Sequence, residues 1–163
     1  MSESLNIPNT NDRWIIYREI IPQIKAIISN EIDLIANQAN IVAALKEAFS
    51  FFWVGFYWVK ENELVLGPFQ GPIACTRIAF NRGVCGKAYT TRKSILVPNV
   101  NEFPNHIACS STTKSELVVP IISHQTGEVL GVLDVDSDQL NNFSEVDVLA
   151  LEELMRIFEN TVI

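Results

Sequence analysis

Phe51-Phe52-Trp53-Val54-Gly55-Phe56-Tyr57-Trp58-Val59, then Lys60-Glu61-Asn62-Glu63, then Leu64-Val65-Leu66-Gly67-Pro68-Phe69 is the run whose reading decides the fold. Its first part is dense in aromatic and β-branched residues, which suit a pleated, half-buried surface. The polar tetrad reads as a turn and the apolar return as a second strand, so the run predicts a hairpin. Gln70-Gly71-Pro72 breaks the pattern, and Thr76-Arg77-Ile78-Ala79-Phe80 reads as another short strand. Gly83 precedes a short helix through Lys87, Ala88 and Tyr89, and Ile95-Leu96-Val97-Pro98 is a brief strand. Two strands close the sheet, Leu117 to Ser123 and Glu128 to Val135, joined by His124-Gln125-Thr126-Gly127. Pro120 has no amide hydrogen to give a ladder, which predicts an edge or a bulge there.

Helices flank this run. Residues 1–10 read as a flexible tail. Asn11-Asp12 caps a helix with apolar positions Trp14, Ile15, Ile16, Ile20 and Ile21, and Pro22 should kink or restart it. A second pattern, Ile32, Ile35, Ala36, Ala39, Val42, Ala43, Leu45 and Phe49, has helical spacing. At the other end Ser144 and Asp147 make a capping box. Val146, Leu149, Ala150, Leu154, Ile157 and Phe158 line that last helix. Helices at both ends of hairpin-linked strands predict one α+β domain over residues 1–163, with a mainly antiparallel sheet of five to six strands.

Composition narrows the function. An apolar content of 48% argues against disorder. No run approaches the about 18 apolar residues of a membrane span, and the polar, acidic start lacks the features of a signal peptide. The expectation is a cytoplasmic protein whose thiols stay reduced unless chemistry oxidises them, and three cysteines, an odd number, agree with that. A net charge of −7 argues against nucleic acid or anionic membrane as partner.

The candidate chemistry lies in sulfur and carboxylate. The polar stretch Pro104-Asn105-His106-Ile107-Ala108-Cys109-Ser110-Ser111-Thr112-Thr113-Lys114-Ser115-Glu116 carries one thiol on a loop before a strand. Loops carry function, and a thiol within reach of solvent can ionise. Cys75 and Cys85 sit beside glycines and chain breaks, and Cys85 lies at a helix start, where the dipole favours a thiolate. A zinc site of His106, Cys109, Cys75 and Cys85 is the alternative, ranked below redox chemistry because the spacing matches no known ligand pattern. Asp134 and Asp136 alternate in Leu133-Asp134-Val135-Asp136 and so share a face, where two acids repel unless a cation sits between them; a solvated strand end explains them equally well. Trp53 and Tyr57 also share a face, which by itself is ordinary core.

Trp53-Val54-Gly55-Phe56-Tyr57, Leu66-Gly67-Pro68-Phe69-Gln70-Gly71, Ile73-Ala74-Cys75, Gly83-Val84-Cys85-Gly86, His106-Ile107-Ala108-Cys109, Lys114-Ser115-Glu116 and Gly131-Val132-Leu133-Asp134-Val135-Asp136-Ser137 together resemble the free methionine-(R)-sulfoxide reductases, small single-domain proteins of the GAF fold. The resemblance implies a GAF-like domain and reduction of free methionine (R)-sulfoxide without a metal or organic cofactor. It implies Cys109 as nucleophile and Cys75 and Cys85 as resolving partners. Glu116, Asp134, Asp136, Trp53 and Tyr57 fall at the family's substrate-holding positions. Ser110 stands where the family usually has Asp. A thioredoxin-type reductant and a homodimer are further implications. The rival implied by the fold is a non-catalytic sensor for a cyclic nucleotide or similar molecule, but the chain lacks the Asn-Lys…Phe…Asp-Glu pattern of such domains.

Overall fold

The computed structural model describes residues 4–104, 106 and 110–162. Its elements are α1 (Arg13–Ile28), α2 (Leu34–Phe49), β1 (Trp53–Lys60), β2 (Glu63–Gln70), β3 (Arg77–Ala79), α3 (Gly83–Thr91), β4 (Ile95–Val97), β5 (Ser115–Ile122), β6 (Val129–Ser137) and α4 (Glu145–Val162). The strands form a six-stranded sheet in the order β3-β2-β1-β6-β5-β4, and every pairing is antiparallel. The expected α+β architecture is the observed one.

Alternation along each strand divides the molecule into two layers. Val54 and Phe56 of β1, Leu117, Val119 and Ile121 of β5, and Leu133 and Val135 of β6 face α1, α2 and α4 and form the larger core. Trp53 and Tyr57, Val118 and Val132 face the other way, against Val84, Cys85 and Ala88 of α3. A strand's period of two enforces this division. The polar residues at positions 116, 134 and 136 therefore fall on the α3 side.

Several local readings are corrected. Asp12 caps α1, accepting from the Trp14 and Ile15 amides at 3.0 and 3.4 Å. Pro22 does not restart the helix, which runs unbroken to Ile28. Ile20, Ile21, Ile24 and Ile28 are buried on both sides of Pro22, and that packing outweighs one lost backbone bond. In α2 the expected stripe is displaced: Ile32 precedes the Asp33 cap and is 88% exposed, and Ile35 is 67% exposed. The buried stripe is Asn37, Gln38, Ile41, Val42, Ala44 and Leu45. Its two amides made the core face read as polar; Asn37 Nδ2 donates to the Glu31 carbonyl at 2.8 Å. In α4, Leu149 is exposed rather than inward. Residues 4–10 take no regular structure, yet Leu5 and Ile7 pack against the core and Gln23 exchanges hydrogen bonds with the Asn6 backbone.

Two expectations hold in detail. Asp147 accepts from the Ser144 amide at 2.8 Å, as a capping box requires. Pro120 sits past the end of β4, whose pairing stops at Val118, and the β5–β6 register shifts at Ile121/Ile122.

Candidate active site

The sheet register assembles the site. Trp53 on β1 stands opposite Asp136 on β6, and Asp136 stands opposite Glu116 on β5. One row of three neighbouring strands therefore carries an aromatic ring and two acids on the α3 face. The next row is Gly55, Asp134 and Val118, and the one after begins with Tyr57 opposite Val132. Five positions far apart in sequence thus share one patch of sheet. They line a cavity of about 530 Å³, counting its open mouth, together with Phe52, Val84, Cys85, His106, Ser110 and Thr113.

Gly55 shapes the aromatic side. A Cβ there would lie 2.4 Å from the far edge of the Trp53 indole, so the ring lies flat over the strand only because this residue has none. Trp53 stacks on Phe69 at 5.3 Å and on Tyr57 at 6.0 Å between ring centroids. The polar tips of the pair point to a single segment. Trp53 Nε1 donates to the Pro72 carbonyl at 3.1 Å, and the Tyr57 hydroxyl donates to the Cys75 carbonyl at 2.9 Å. Gly71, at φ +145°, turns the chain where a side chain would strike the indole. The two rings that wall the cavity therefore also hold the stretch that carries Cys75.

The acidic side is short of water. Burial first, and then the charge of Asp136, pushes Glu116 well above its ordinary pKa. Burial and Glu116 do the same to Asp134, and burial and Asp134 to Asp136. Burial lowers His106, whose Nε2 lies 3.1 Å from Glu116 Oε2, so both shifts favour neutral partners and a hydrogen bond rather than an ion pair. Asp134 Oδ2 accepts from Cys85 Sγ at 3.4 Å, and the Asp134 carboxyl also hydrogen-bonds the Glu116 carboxyl and the Val135 backbone. Cys85 Sγ and carboxylate oxygens of Glu116 and Asp134 lie within 4.8 Å of one another, a spacing that suits one small cation.

The described cysteines differ sharply. Cys75 is disulfide-bonded and half-buried on the surface segment, whereas Cys85 is a free, buried thiol. The helix start does not make Cys85 a thiolate: burial, then the charges of Asp134 and Glu116, raise its pKa well above the ordinary value. In the disulfide-bonded state Cys75 is not a thiolate ligand, and His106 Nε2 is engaged with Glu116. Cys109 lies outside the described residues.

Sequence reasoning passed over Thr113, a buried residue that hydrogen-bonds Asp136, and weighed His106 only as a metal ligand. No period marks either, because the residues around them carry no regular repeat, and the nearest regular element is one 3₁₀ turn at Val100–Glu102. Their only signal was proximity in sequence to Glu116.

The chain's likenesses agree with this geometry. The GAF domain pattern matches residues 36–162. GAF domain-containing protein A of Dictyostelium discoideum is 55% identical over 145 residues, covering 88% of this chain and 90% of that protein. Free methionine-R-sulfoxide reductase of Saccharomyces cerevisiae is 35% identical over 170 residues, covering 99% and 94%. The X-ray structure of free methionine-R-sulfoxide reductase from Neisseria meningitidis in complex with its substrate superposes with a TM-score of 0.94 at 50% identity, covering 98% of this chain and 95% of that one. With the family pattern spanning most of its length and a named reductase related to it nearly end to end, the chain belongs to the GAF domain family, among the free methionine-R-sulfoxide reductases.

Proposed function

We propose that this protein is a thiol-dependent oxidoreductase that reduces free methionine (R)-sulfoxide. The observation that carries the reading is the convergence, on one sheet face, of Glu116, Asp134 and Asp136 with the Trp53–Tyr57 pair, whose polar tips hold the disulfide-bonded Cys75 segment. Substrate complexes of the Neisseria protein and of its Staphylococcus aureus counterpart, at 50% and 37% identity, add support.

The free amino acid carries an ammonium group, which sits among the three acids, and its methyl lies against the two rings. The Cys109 thiolate attacks the sulfoxide sulfur while a neutral carboxyl group of the cluster protonates the oxygen. The attack joins the two sulfurs and leaves a hydroxyl on the substrate sulfur; that hydroxyl then passes to the Cys109 sulfur as the S–S bond and the substrate S–O bond break, releasing methionine and leaving Cys109 as a sulfenic acid. Cys75 condenses with that sulfenic acid, releasing water and closing a disulfide. A thioredoxin-type dithiol then returns both thiols, becoming a disulfide itself. No metal or organic cofactor enters these steps. A cytoplasmic setting and a homodimer belong to the same reading; no helix of the described residues is long and apolar enough to cross a membrane.

The test is a thioredoxin-coupled assay with free and N-acetylated methionine (R)-sulfoxide. Acetylation turns the ammonium into a neutral amide and leaves buried acids unpaired. Each charge-assisted hydrogen bond lost costs about 1.5–3 kcal/mol. A difference of about 3 kcal/mol is more than a hundredfold in kcat/KM. We expect at least that preference for the free amino acid. Comparable values for the two substrates would overturn the assignment of the acid cluster.

A further inference from the structure

The disulfide at Cys75 must be opened by a dithiol from outside the chain, and that dithiol has to reach it. Residues 71–75 lie between the end of β2 at Gln70 and the start of β3 at Arg77, in a stretch without regular structure. The inner side of this stretch is committed: the carbonyls of Pro72 and Cys75 accept from Trp53 and Tyr57, and the Thr76 carbonyl accepts from the Leu66 amide at 3.0 Å. Its outer side is not. Gly71, Pro72 and Ile73 are exposed, and Ile73, at 92%, is the most exposed large apolar side chain among the described residues. Among those residues the main-chain amides and carbonyls of Ile73 and Ala74 have no hydrogen-bond partner. One exposed isoleucine is ordinary. Here it stands two residues from a disulfide, on a stretch pinned from behind and carrying unpaired main-chain groups. That is what an extended peptide offers a receptor: backbone for affinity and a side chain for register.

We propose that residues 71–75 are the docking strip for the protein dithiol, of the thioredoxin type, that re-reduces this enzyme. Ile73 fills an apolar pocket on the reductant, and the main-chain groups of Ile73 and Ala74 pair with its backbone. This seating brings the reductant's thiolate to Cys75 Sγ. The thiolate attacks that sulfur, a bond forms between reductant and Cys75, and the bond from Cys75 to its partner breaks, the partner sulfur leaving as a thiolate. The reductant's second thiol then attacks its own first sulfur and displaces Cys75 as a thiolate. The reductant ends as a disulfide, two electrons pass to the enzyme, and the two protons its thiols give up go to the two enzyme sulfurs. The inference rests on the reductase reading and deepens it by giving the reductant a surface.

The test measures methionine release by wild type, Ile73→Asp and Ile73→Leu with two reductants: thioredoxin at varied concentration, and dithiothreitol, which is too small to need a docking strip. Thermal unfolding of each variant records whether it folds. Ile73→Asp should raise KM for thioredoxin about tenfold, while Ile73→Leu should keep it within about twofold of wild type. With dithiothreitol, KM for the sulfoxide should be the same in all three proteins. A thioredoxin lacking its second thiol should be trapped on the wild-type enzyme, and peptide mapping should find it on Cys75. A wild-type KM for thioredoxin in Ile73→Asp would overturn the docking role. So would a trapped reductant mapped to Cys109, or a wild-type enzyme that dithiothreitol restores and thioredoxin does not. Ile73 also borders the cavity. If KM for the sulfoxide with dithiothreitol rose as much in Ile73→Asp, the residue would be a substrate contact and the proposal would fall. Wild-type protein that releases no methionine with dithiothreitol would overturn the reductase reading instead, a result the other outcomes cannot imitate.

Discussion

Cys75 is one end of a disulfide on a segment tied down by two aromatic side chains, and this sets what its removal should do. With Cys75→Ser, the attacking thiol is intact but the sulfenic acid has no partner. We expect one equivalent of methionine per protein, then a stall, with the acid trapped by dimedone and found by mass mapping on Cys109. Continued turnover with a Cys85–Cys109 disulfide would reverse the assignment. At this scale the carboxylates, the aromatic pair and the two described cysteines stood out in the sequence. The state of each thiol was not. Cys85 sits at a helix start, which in isolation favours thiolate, but the dipole of a short helix is overridden by burial and by acids delivered from two strands far away in sequence. Thr113 and His106 belong to the same class, since what places them is tertiary.

Asp147 joins two elements that the strand pattern leaves unconnected. It is fully buried at the start of α4, beyond its role in the capping box. Arg13 of α1 reaches it at 2.7 Å and the Tyr17 hydroxyl at 2.9 Å. Replacing it with Ala leaves a buried hydroxyl and a partly buried guanidinium without their acceptor. Breaking such a pair costs about 3 kcal/mol, so Asp147→Ala should lower the urea midpoint accordingly, while Asp147→Glu recovers part of the loss. A shift under about 1 kcal/mol would place Arg13 and Tyr17 in water-satisfied alternatives. Strands and the final cap were readable at this scale because period-two alternation and cap chemistry are local. The helix faces were less so. Buried Asn37 and Gln38 disguised the core side of α2, and exposed Ile32 and Ile35 drew the eye to the wrong one. Pro22 carried a correct local cost that the packing of six buried residues of α1 outweighs.

The whole molecule carries three acids with raised pKa values on one sheet face, and its stability should show this. Folding raises Glu116, Asp134 and Asp136 above their ordinary values, so in this range the folded state binds more protons than the unfolded chain. Their contribution is fully present below the unfolded values of about 4 and is lost as pH rises through the higher folded ones. Glu116→Gln removes one such group while keeping a partner for His106. The variant should be at least as stable as wild type at neutral pH, with a flatter decline in Tm between about pH 4 and neutrality, and it should lose activity on the free amino acid. A variant less stable than wild type across that whole range would show that the ionised cluster supports the fold.

The short reach of β4 has a consequence of another kind. Its pairing stops at Val118, so the far end of β5 runs on past its last neighbour as an open sheet edge. An edge of Val and Ile is a template on which a second chain can add a strand and begin a fibril. Pro120 occupies that stretch and takes one amide donor away from any incoming strand, and the register shift at Ile121/Ile122 spoils the flatness that stacking needs. The proline that predicted an edge or a bulge thus sits where a gatekeeper against strand addition would be placed.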